Sequence, residues 1–555
     1  MIRFLTAIVF LLLGQARGED LTGGLVGHWP LQGDCRDASA AGNDAVNHGV
    51  DLTADCAVFC GRNAYLEIPD SPSLRFGAGD FSVALWVHTD AELDDVLGDI
   101  LSKYDPATRT GWNLTLLNSA GVTSSQPNYR NLLFGIDAGR SDASWSDCGR
   151  PGNAVYIMAM AVDDGHLYVG TYEQGKDERG HVWRYDGTKW TDCGSPDLAN
   201  GIGSLAVYNG SLYAGSTRYN AGGSALAKSP NGNPGGRVFR YDGDGRWADC
   251  GRLGEATGVF GMAVFRGKLY ATTLYDEGKG LYRYEGGQQW TFCGNPGRRV
   301  QPLVVYDGHL YAGSYDGGHF ARYEGGQQWT DLGQVPDTTQ VYSFAVYEGR
   351  LYLANWPTGS VFVYDAGSNQ WTHVGRLGEE KEVMGVAVYN GKLYAGTLPL
   401  GQVYRYDGPG KWTLMGQLDT TPDVTYRRVW SMAVYRGRLF AGTLPSGHVY
   451  SLEAGKSATL DQELQPGWRH IAAVKAGPQL KLFVDGRCMA VSSRFDPKQY
   501  DISTTAPLEI GRGRHDCFNG RMKDVRIYDR ALHEDEVAAL CRRTAPAQRK
   551  PRVNR

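Results

Sequence analysis

The chain has 555 residues, of which 42% are hydrophobic and 21% are charged, a balance typical of soluble globular proteins with two or more domains. Its formal net charge of −4 gives no electrostatic reason to expect a nucleic-acid partner. The 75 glycines, with 32 tyrosines and 14 tryptophans, indicate many turns and many aromatic strand positions, as in an all-β protein.

The first 18 residues have the pattern of a secretory signal peptide. Arg3 precedes an apolar run at 4–13, and small residues at 14–18 offer a cleavage site. The run is about ten residues long, too short to cross a bilayer, and no later segment is long and apolar enough to do so. We therefore expect a secreted or extracytoplasmic protein whose mature chain has no transmembrane segment.

Two groups of short strands, at 22–144 and 456–541, flank the centre of the chain. They contain residues 80–86 (DFSVALW), 467–470 (GWRH), 482–486 (LFVDG), 519–525 (NGRMKDV) and 528–532 (YDRAL). These strings, in this order, resemble the laminin-G-like, concanavalin A-type jelly-roll domain. The resemblance implies one two-sheet sandwich built from two parts of the chain, interrupted after a strand at 131–136.

Between these groups, residues 145–455 repeat one pattern seven times. Each repeat contains a hairpin whose turn is Asn209-Gly210, Asp307-Gly308 or a similar pair, which favours a type I′ turn with positive φ at both residues. The mean spacing of the repeated tryptophans is about 44 residues, the period of four-stranded propeller blades. These residues are Trp145, Trp190, Trp247, Trp290, Trp329, Trp371 and Trp412.

The two ends of the array are complementary. It opens with a lone fourth strand at 145–149 and ends with three strands, the last at 448–452. If the opening strand completes the last blade, the ring closes and its ends meet, which makes insertion into another domain tolerable. The repeats resemble kelch-type propellers, although the kelch diglycine is missing. We therefore predict an all-β fold: a laminin-G-like jelly-roll sandwich with an inserted seven-bladed, kelch-like β-propeller.

The ten cysteines form two sets. Four take the same place in successive repeats, too far apart to bridge easily, and are expected to be small buried hydrophobic residues: Cys148, Cys193, Cys250 and Cys293. Six lie in the flanks and are candidates for disulfide bonds in an exported protein, with fifteen pairings open: Cys35, Cys56, Cys60, Cys488, Cys517 and Cys541. The basic residues at 542–555 predict a disordered tail, with weak attraction to acidic polysaccharide as the alternative.

Candidate binding residues lie in loops at one face of the predicted propeller. Exposed aromatic rings there would stack on sugars or apolar side chains, and arginines would pair with a carboxylate or sulfate. The candidates are Tyr172, Tyr219, Tyr275, Tyr315, Trp356, Arg427 and Arg428. The alternatives are rings packed between blades and solvated arginines. The long loop at 217–237 is expected to be a flexible insertion, or a lid over this face.

The resemblance to laminin-G-like domains also implies a rim that binds glycans or proteins with calcium. Candidate calcium ligands are Asp34, Asp37, Asp485 and Asp516, for which turn formation is the alternative. No nucleophile elbow, zinc-protease motif, P-loop or glucanase-type carboxylate string occurs in the sequence.

These observations favour an exported, non-enzymatic recognition protein that binds a carbohydrate or an extracellular protein of a matrix or surface. One alternative is a polysaccharide-active enzyme, a glycoside hydrolase or lyase, with its site on the propeller loop face. The other is a structural adhesion or scaffold module. The sequence assigns neither a ligand nor an oligomeric state.

Overall fold

The computed structural model describes residues 21–140, 144–174, 178–274 and 279–546. The predicted signal peptide at 1–18, Tyr275 and most of the predicted tail at 542–555 lie outside these residues. No helix in the described part of the chain is long and apolar enough to cross a membrane. The regular structure of the described residues is mainly β, with one α-helix and three short 3₁₀ helices at Pro72–Leu74, Ala221–Ser224 and Pro497–Gln499.

Nine strands precede the repeats. They are β1 (Leu25–Trp29), β2 (Val46–His48), β3 (Asp51–Leu52), β4 (Ala57–Cys60), β5 (Tyr65–Ile68), β6 (Phe81–Thr89), β7 (Gly98–Asp105), β8 (Thr110–Ser119) and β9 (Asn128–Ala138).

Twenty-eight strands form the repeat region. They are β10 (Trp145–Asp147), β11 (Ala154–Asp163), β12 (His166–Glu173), β13 (Val182–Tyr185), β14 (Trp190–Asp192), β15 (Gly201–Tyr208), β16 (Ser211–Thr217), β17 (Arg237–Tyr241), β18 (Trp247–Arg252), β19 (Val259–Phe265), β20 (Lys268–Thr273), β21 (Gly280–Gly286), β22 (Gln289–Phe292), β23 (Val300–Tyr306), β24 (His309–Ser314), β25 (His319–Gly325), β26 (Gln328–Gln334), β27 (Gln340–Tyr347), β28 (Arg350–Trp356), β29 (Ser360–Asp365), β30 (Gln370–Arg376), β31 (Glu382–Tyr389), β32 (Lys392–Leu398), β33 (Gln402–Gly408), β34 (Lys411–Gln417), β35 (Arg428–Tyr435), β36 (Arg438–Leu444) and β37 (Val449–Leu452).

The remaining elements follow the repeats. They are β38 (Lys456–Leu460), β39 (Gly467–Ala476), β40 (Gln479–Val484), β41 (Arg487–Val491), β42 (Leu508–Ile510), β43 (Asn519–Tyr528) and α1 (Glu534–Arg543).

The two flanks build a pair of sheets together, here called the flanking unit. One sheet has the order β3-β4-β43-β6-β39-β40-β41 with β1 on β43, and the other has the order β2-β5-β42-β7-β8-β9-β38. Each sheet therefore combines strands from before and after the repeats. Their inner faces share one apolar core that includes Trp29, Leu85, Trp112, Ile471 and Val525. Burial of this core requires both flanks at once.

The repeats form a propeller-like arrangement of small antiparallel sheets. Five are separate four-stranded sheets: β19–β22, β23–β26, β27–β30, β31–β34, and β10 with β35–β37. The strands β11–β18 make one further sheet of eight strands. The described structure therefore has five separate four-stranded sheets, where the sequence predicted seven blades. Inside the eight-stranded sheet, β12 and β15 are joined by a single pair, Tyr172 with Gly201. As predicted, the opening strand β10 pairs with the last strand β37, through Trp145 with Leu452.

The hairpin turns have the backbone that their sequences predicted. Asn209, Asp307, Glu348 and Asn390 have φ values of 50°, 49°, 54° and 45°, and each is followed by a glycine with positive φ. Several of these turns contact the flanking unit. The Asp307 N–H donates to Asp95 Oδ1 at 3.1 Å, and the Gly391 N–H donates to His515 Nε2 at 3.3 Å. The turns thus form the face of the propeller-like array that docks on the flanking unit.

The hairpin between β8 and β9 enters the centre of the array. Residues 120–130 are all buried. The N–H groups of Val162, Met262 and Phe344 donate to the carbonyl oxygens of Pro127, Ser124 and Gly121 at 2.9, 3.2 and 2.8 Å. The Asn128 side chain bonds both polar backbone groups of Val434. The hairpin therefore bonds the first strands of several repeats and fills the lower end of the channel.

Repeated contacts join neighbouring sheets. The indole N–H groups of Trp190, Trp247, Trp290 and Trp329 each donate to the carbonyl oxygen of a cysteine in the preceding repeat, at 2.8 to 2.9 Å. Of these cysteines Cys193, Cys250 and Cys293 are buried, as predicted, and Cys148 is half-buried. All ten cysteines lie in the described residues and carry free thiols, so the disulfide bonds expected among the flanking six are not found.

Candidate functional sites

The loop face of the array, opposite the docked turns, begins near the end of the pairing between the first and second strands of each repeat. Tyr156 pairs with Tyr172, Gln340 with Trp356, Glu382 with Leu398, and Arg428 with Leu444. The Tyr315 N–H bonds the Arg299 carbonyl at 2.9 Å in the same way. The predicted residues Tyr172, Tyr315 and Trp356 thus occupy equivalent places around the channel mouth, as the repeat alignment indicated.

Most of the predicted aromatic rings pack inward on this face. Tyr172 has no exposed surface, and Tyr219, Tyr315 and Trp356 pack half-buried against the same apolar cluster. Tyr219 contacts the rings of Tyr172 and Tyr156 at centroid distances of 5.4 and 5.5 Å. The expectation of exposed stacking rings is therefore wrong for Tyr172, because its ring is enclosed by its neighbours. At Tyr172 the alternative expectation, a ring packed among its neighbours, is the correct one.

The segment at 219–226, here called the covering segment, lies across the channel mouth. Its 3₁₀ helix buries Ala221 and Ser224, each 1% exposed. Arg428 Nη1 donates to Ser224 Oγ at 2.6 Å, which links this segment to a distant repeat. Asn200 Nδ2 donates to the Tyr219 carbonyl at 2.9 Å. The beginning of the loop at 217–237 therefore packs as a cover over this face.

The predicted arginines differ in their partners. Arg427 Nε donates to the Thr421 carbonyl at 2.7 Å, so it holds its own loop. Arg299, which precedes Tyr315 around the mouth, forms an ion pair with Asp316 and lies over the Tyr315 ring at 4.9 Å. Arg428 has no carboxylate within 4 Å among the described residues. Neither Arg427 nor Arg428 thus has a close acidic partner among the described residues, and Arg428 is the one that contacts the covering segment.

Sequence reasoning missed several residues that lie deeper in the mouth. Tyr156, Tyr342, Trp430 and Glu382 are each at most 7% exposed. The Trp430 ring contacts Tyr156 at 5.7 Å and Tyr342 at 5.8 Å. Burial raises the pKa of Glu382 to about 7, against the opposing effect of the Arg428 charge and a hydrogen bond from Tyr342. A glutamate inside an otherwise apolar strand was the signal available in the sequence.

The candidate calcium ligands do not converge. No group of three or more His, Cys, Asp or Glu side chains is placed to hold a metal ion in the described ranges of the chain. Asp37 accepts N–H bonds from His28, Ser39 and Asn43, which is a loop-forming role. Asp485 pairs with Arg469 at 3.0 Å, and Asp516 is buried. The donor set present here does not suit calcium.

A second candidate site lies on the outer face of the sheet that contains β6, β39 and β43. Because alternate residues of a strand face the same side, their outward side chains form a grid. His88 pairs with Trp468 and with Arg521, while Trp86 pairs with His470 and with Lys523. A groove of about 850 Å³ runs over this grid, lined by Gln32, Asp55, Trp86, Trp468, Arg521 and Lys523 among others.

The groove combines an aromatic ring with cations. Trp468 is partly exposed, with the Lys523 ammonium 5.7 Å from its ring centroid and His88 packed edge-on at 5.3 Å. Burial lowers the pKa of His470 to about 4, so this imidazole is neutral at physiological pH. Trp86 donates from Nε1 to Thr544 Oγ1 at 2.8 Å, which fixes its ring beside the end of α1. This surface offers a stacking platform with hydrogen-bond donors around it.

Part of the chain is similar to a known family. Residues 434–538 match the family described as the concanavalin A-like lectin/glucanases superfamily, Laminin_G_3. The match includes β39 and β43, which carry Trp468, Arg521 and Lys523. The curated proteins include no sequence that matches the chain.

Three solved structures with similarity to the chain have TM-scores of 0.40 to 0.43. They include virginiamycin B lyase from Staphylococcus aureus, with 10% identity and a TM-score of 0.43, covering 56% of this chain and 99% of that one. YCF48 from Cyanidioschyzon merolae has 12% identity and a TM-score of 0.40, with coverage of 56% and 98%. The WD40 β-propeller domain of Doa1 has 13% identity and a TM-score of 0.41, with coverage of 56% and 97%.

Proposed function

We propose that this protein is an exported, non-enzymatic recognition protein that binds carbohydrate through the groove on its flanking unit. The observation that carries the proposal is the partly exposed Trp468 ring on the groove floor, flanked by Lys523 and Arg521. An indole face stacks on the apolar face of a sugar ring, and nearby cations donate hydrogen bonds to its hydroxyl or carboxylate oxygens. The similarity of this segment to concanavalin A-like lectins and glucanases supports the same assignment.

The proposed architecture is a laminin-G-like jelly roll interrupted by a seven-bladed, kelch-like propeller. The eight-stranded sheet supports seven blades because its two halves, β11–β14 and β15–β18, share one residue pair only. The pairing of β38 with β9 supports the insertion, since these strands flank the repeats and meet through five consecutive residue pairs. In this architecture the propeller would place a second binding face, with Tyr219, Tyr315 and Trp356 at its mouth, away from the groove.

Binding to immobilised polysaccharides tests the carbohydrate assignment. The Trp468→Ala variant is expected to weaken binding between about fivefold and 150-fold, because stacking on an indole contributes about 1 to 3 kcal/mol. Met489→Ala provides a control, since Met489 is exposed on the edge strand β41 of the same sheet, outside the residues that line the groove. Equal binding by wild type and Trp468→Ala would contradict the proposal. Release of shortened products from the polysaccharide would support the enzyme alternative.

A further inference from the structure

The mouth of the channel contains buried hydrogen-bond donors without acceptors. Trp430 Nε1, Gln301 Nε2 and Arg428 Nε are each buried and have no hydrogen-bond partner among the described residues. Trp430 is 7% exposed and Gln301 is 2% exposed. A buried donor without a partner costs about 1 to 3 kcal/mol, and natural proteins leave few of them. Buried donors of this kind suit a ligand with acceptor oxygens.

Two of these donors lie side by side. Arg428 and Trp430 both lie against Tyr156. Gln301 occupies in β23 the position that Trp430 has in β35, at the register shift that follows the first pairs of each strand. Trp430 belongs to the apolar cluster at the mouth, together with Tyr156, Tyr342 and Tyr172. Arg428 and Trp430 thus lie in an aromatic wall, where a hydrogen bond gains strength.

The charges in the mouth favour an anion. Arg428 bonds Ser224 and lies 5.8 Å from the Tyr426 ring, but no carboxylate of the described chain lies within 4 Å of it. Glu382 is the acid of this region, and the Tyr342 hydroxyl is directed to it and to Gln340. A guanidinium without a close counter-ion binds a planar carboxylate well, because its N–H groups match the two oxygens.

We propose that the channel mouth beneath the covering segment binds the carboxylate of a small organic acid, including sugar acids. Arg428 and the indole N–H of Trp430 hold the two carboxylate oxygens, Gln301 donates to a further oxygen, and the rings of Tyr156 and Tyr342 enclose the carbon skeleton. The covering segment moves aside for entry, because Ser224 accepts a hydrogen bond from Arg428 while the segment lies across the mouth. The site is separate from the groove and does not depend on the function assigned to it.

Two matched pairs of probes test this site on the full chain by calorimetry. Glucuronate is compared with glucose, and benzoate with benzyl alcohol, so that each pair differs mainly in its carboxylate. We expect both acids to bind and both neutral partners to bind at least tenfold more weakly, as expected for a charge-assisted hydrogen bond. Equal binding within each pair, or no binding by either acid, would overturn the proposal.

Variants locate the binding. Arg428→Gln is expected to weaken acid binding between about tenfold and a hundredfold. Trp430→Phe keeps the ring and removes only the N–H, so it gives a second test if the arginine variant does not fold, with a loss of about threefold to tenfold. Ser224→Ala frees Arg428 and is expected to tighten binding. Arg298→Gln is the control, since Arg298 lies on the same face beside Asp331.

The outcomes are distinguishable. Acid binding that survives both Arg428→Gln and Trp430→Phe would place the ligand elsewhere and refute the site. Electron density for the wild type soaked in glucuronate that shows only ordered water at Arg428 and Trp430 would also refute it. Loss of acid binding in these two variants, with polysaccharide binding to the groove retained, would support it.

Discussion

The buried carboxyl of Asp99 gives a prediction with a defined sign and size. Asp99 is fully buried, and its Oδ2 accepts N–H bonds from His515 at 2.6 Å and Asp516 at 3.2 Å. Burial outweighs these bonds and raises its pKa from 3.8 to about 7. The folded protein therefore keeps a proton between about pH 4 and pH 7 that the unfolded chain has lost. The contribution of Asp99 to the free energy of unfolding therefore falls as the pH rises through this window.

The magnitude follows from the shift. About three pKa units correspond to about 4 kcal/mol, since one unit is about 1.4 kcal/mol. Asp99→Asn keeps an oxygen that accepts the same two N–H bonds but cannot ionise. We expect the variant to be more stable than wild type at pH 8, by up to about 4 kcal/mol, and nearly equal at pH 4. Urea unfolding followed by tryptophan fluorescence at the two pH values measures the difference.

Asp524→Asn is the control of opposite sign. Burial opposes ionisation of Asp524, but hydrogen bonds from His28 and Arg526 outweigh it and lower the pKa to about 2. Its charged form is therefore stabilising above pH 4, and this contribution is lost as the pH falls towards 2. The Asp524→Asn variant should be less stable than wild type at pH 8. If Asp99→Asn is destabilised equally at pH 4 and pH 8, the account of Asp99 is refuted.

Three further predictions address the channel, the groove and the contacts between sheets. Asn128→Ala leaves both polar backbone groups of Val434 unbonded and is expected to lower the free energy of unfolding by about 2 to 3 kcal/mol. Scanning calorimetry would show this as a lower midpoint temperature. An unchanged midpoint temperature would show that the hairpin does not stabilise the strands around the channel. Lys523→Ala is expected to weaken polysaccharide binding about threefold and to reduce its salt dependence, measured at two ionic strengths; unchanged affinity and salt dependence would contradict this role. Trp190→Phe removes the bond to the Cys148 carbonyl and should lower the free energy of unfolding by about 1 kcal/mol, whereas a loss below the error of urea unfolding would show that this bond is not stabilising.

Local features of the fold were predictable from the sequence because they depend on neighbouring residues. The turns at Asn209, Asp307 and Asn390 follow from adjacent pairs that adopt positive φ readily, and the structure has that backbone. The pairing of β10 with β37 followed from counting strands at the two ends of the array. The joining of β11–β18 into one sheet of eight strands was not predictable in this way, since a single pair, Tyr172 with Gly201, makes the link.

The interior of the channel was not predictable from local pattern. Residues 118–128 (NSAGVTSSQPN) have the composition of an exposed turn, yet residues 120–128 are buried because their polar groups bond strands far away in sequence. Gly121 illustrates the constraint. Its φ is 81°, and a Cβ at this position would lie 2.7 Å from the Leu303 carbonyl oxygen. Such close approach between distant segments leaves no signal in a repeat pattern.

The candidate sites were predicted in part. Repeat alignment placed Tyr172, Tyr315 and Trp356 at equivalent positions, but it did not show which rings are enclosed. That depends on Tyr219 and the covering segment, which reach across from another repeat. The groove residue Trp468 was part of a motif that the resemblance used for the fold, and its exposure becomes visible only when β6 and β43 are placed beside it.

The hairpin in the channel has a consequence for transport of solutes. A propeller with an open axis allows water and small molecules to pass from one side to the other. Here the bonds from Gly121, Ser124 and Asn128 to the surrounding strands obstruct the far side. The array is therefore closed on the side of the flanking unit, so a ligand of the proposed site would have to enter past Ser224 and leave by the same route.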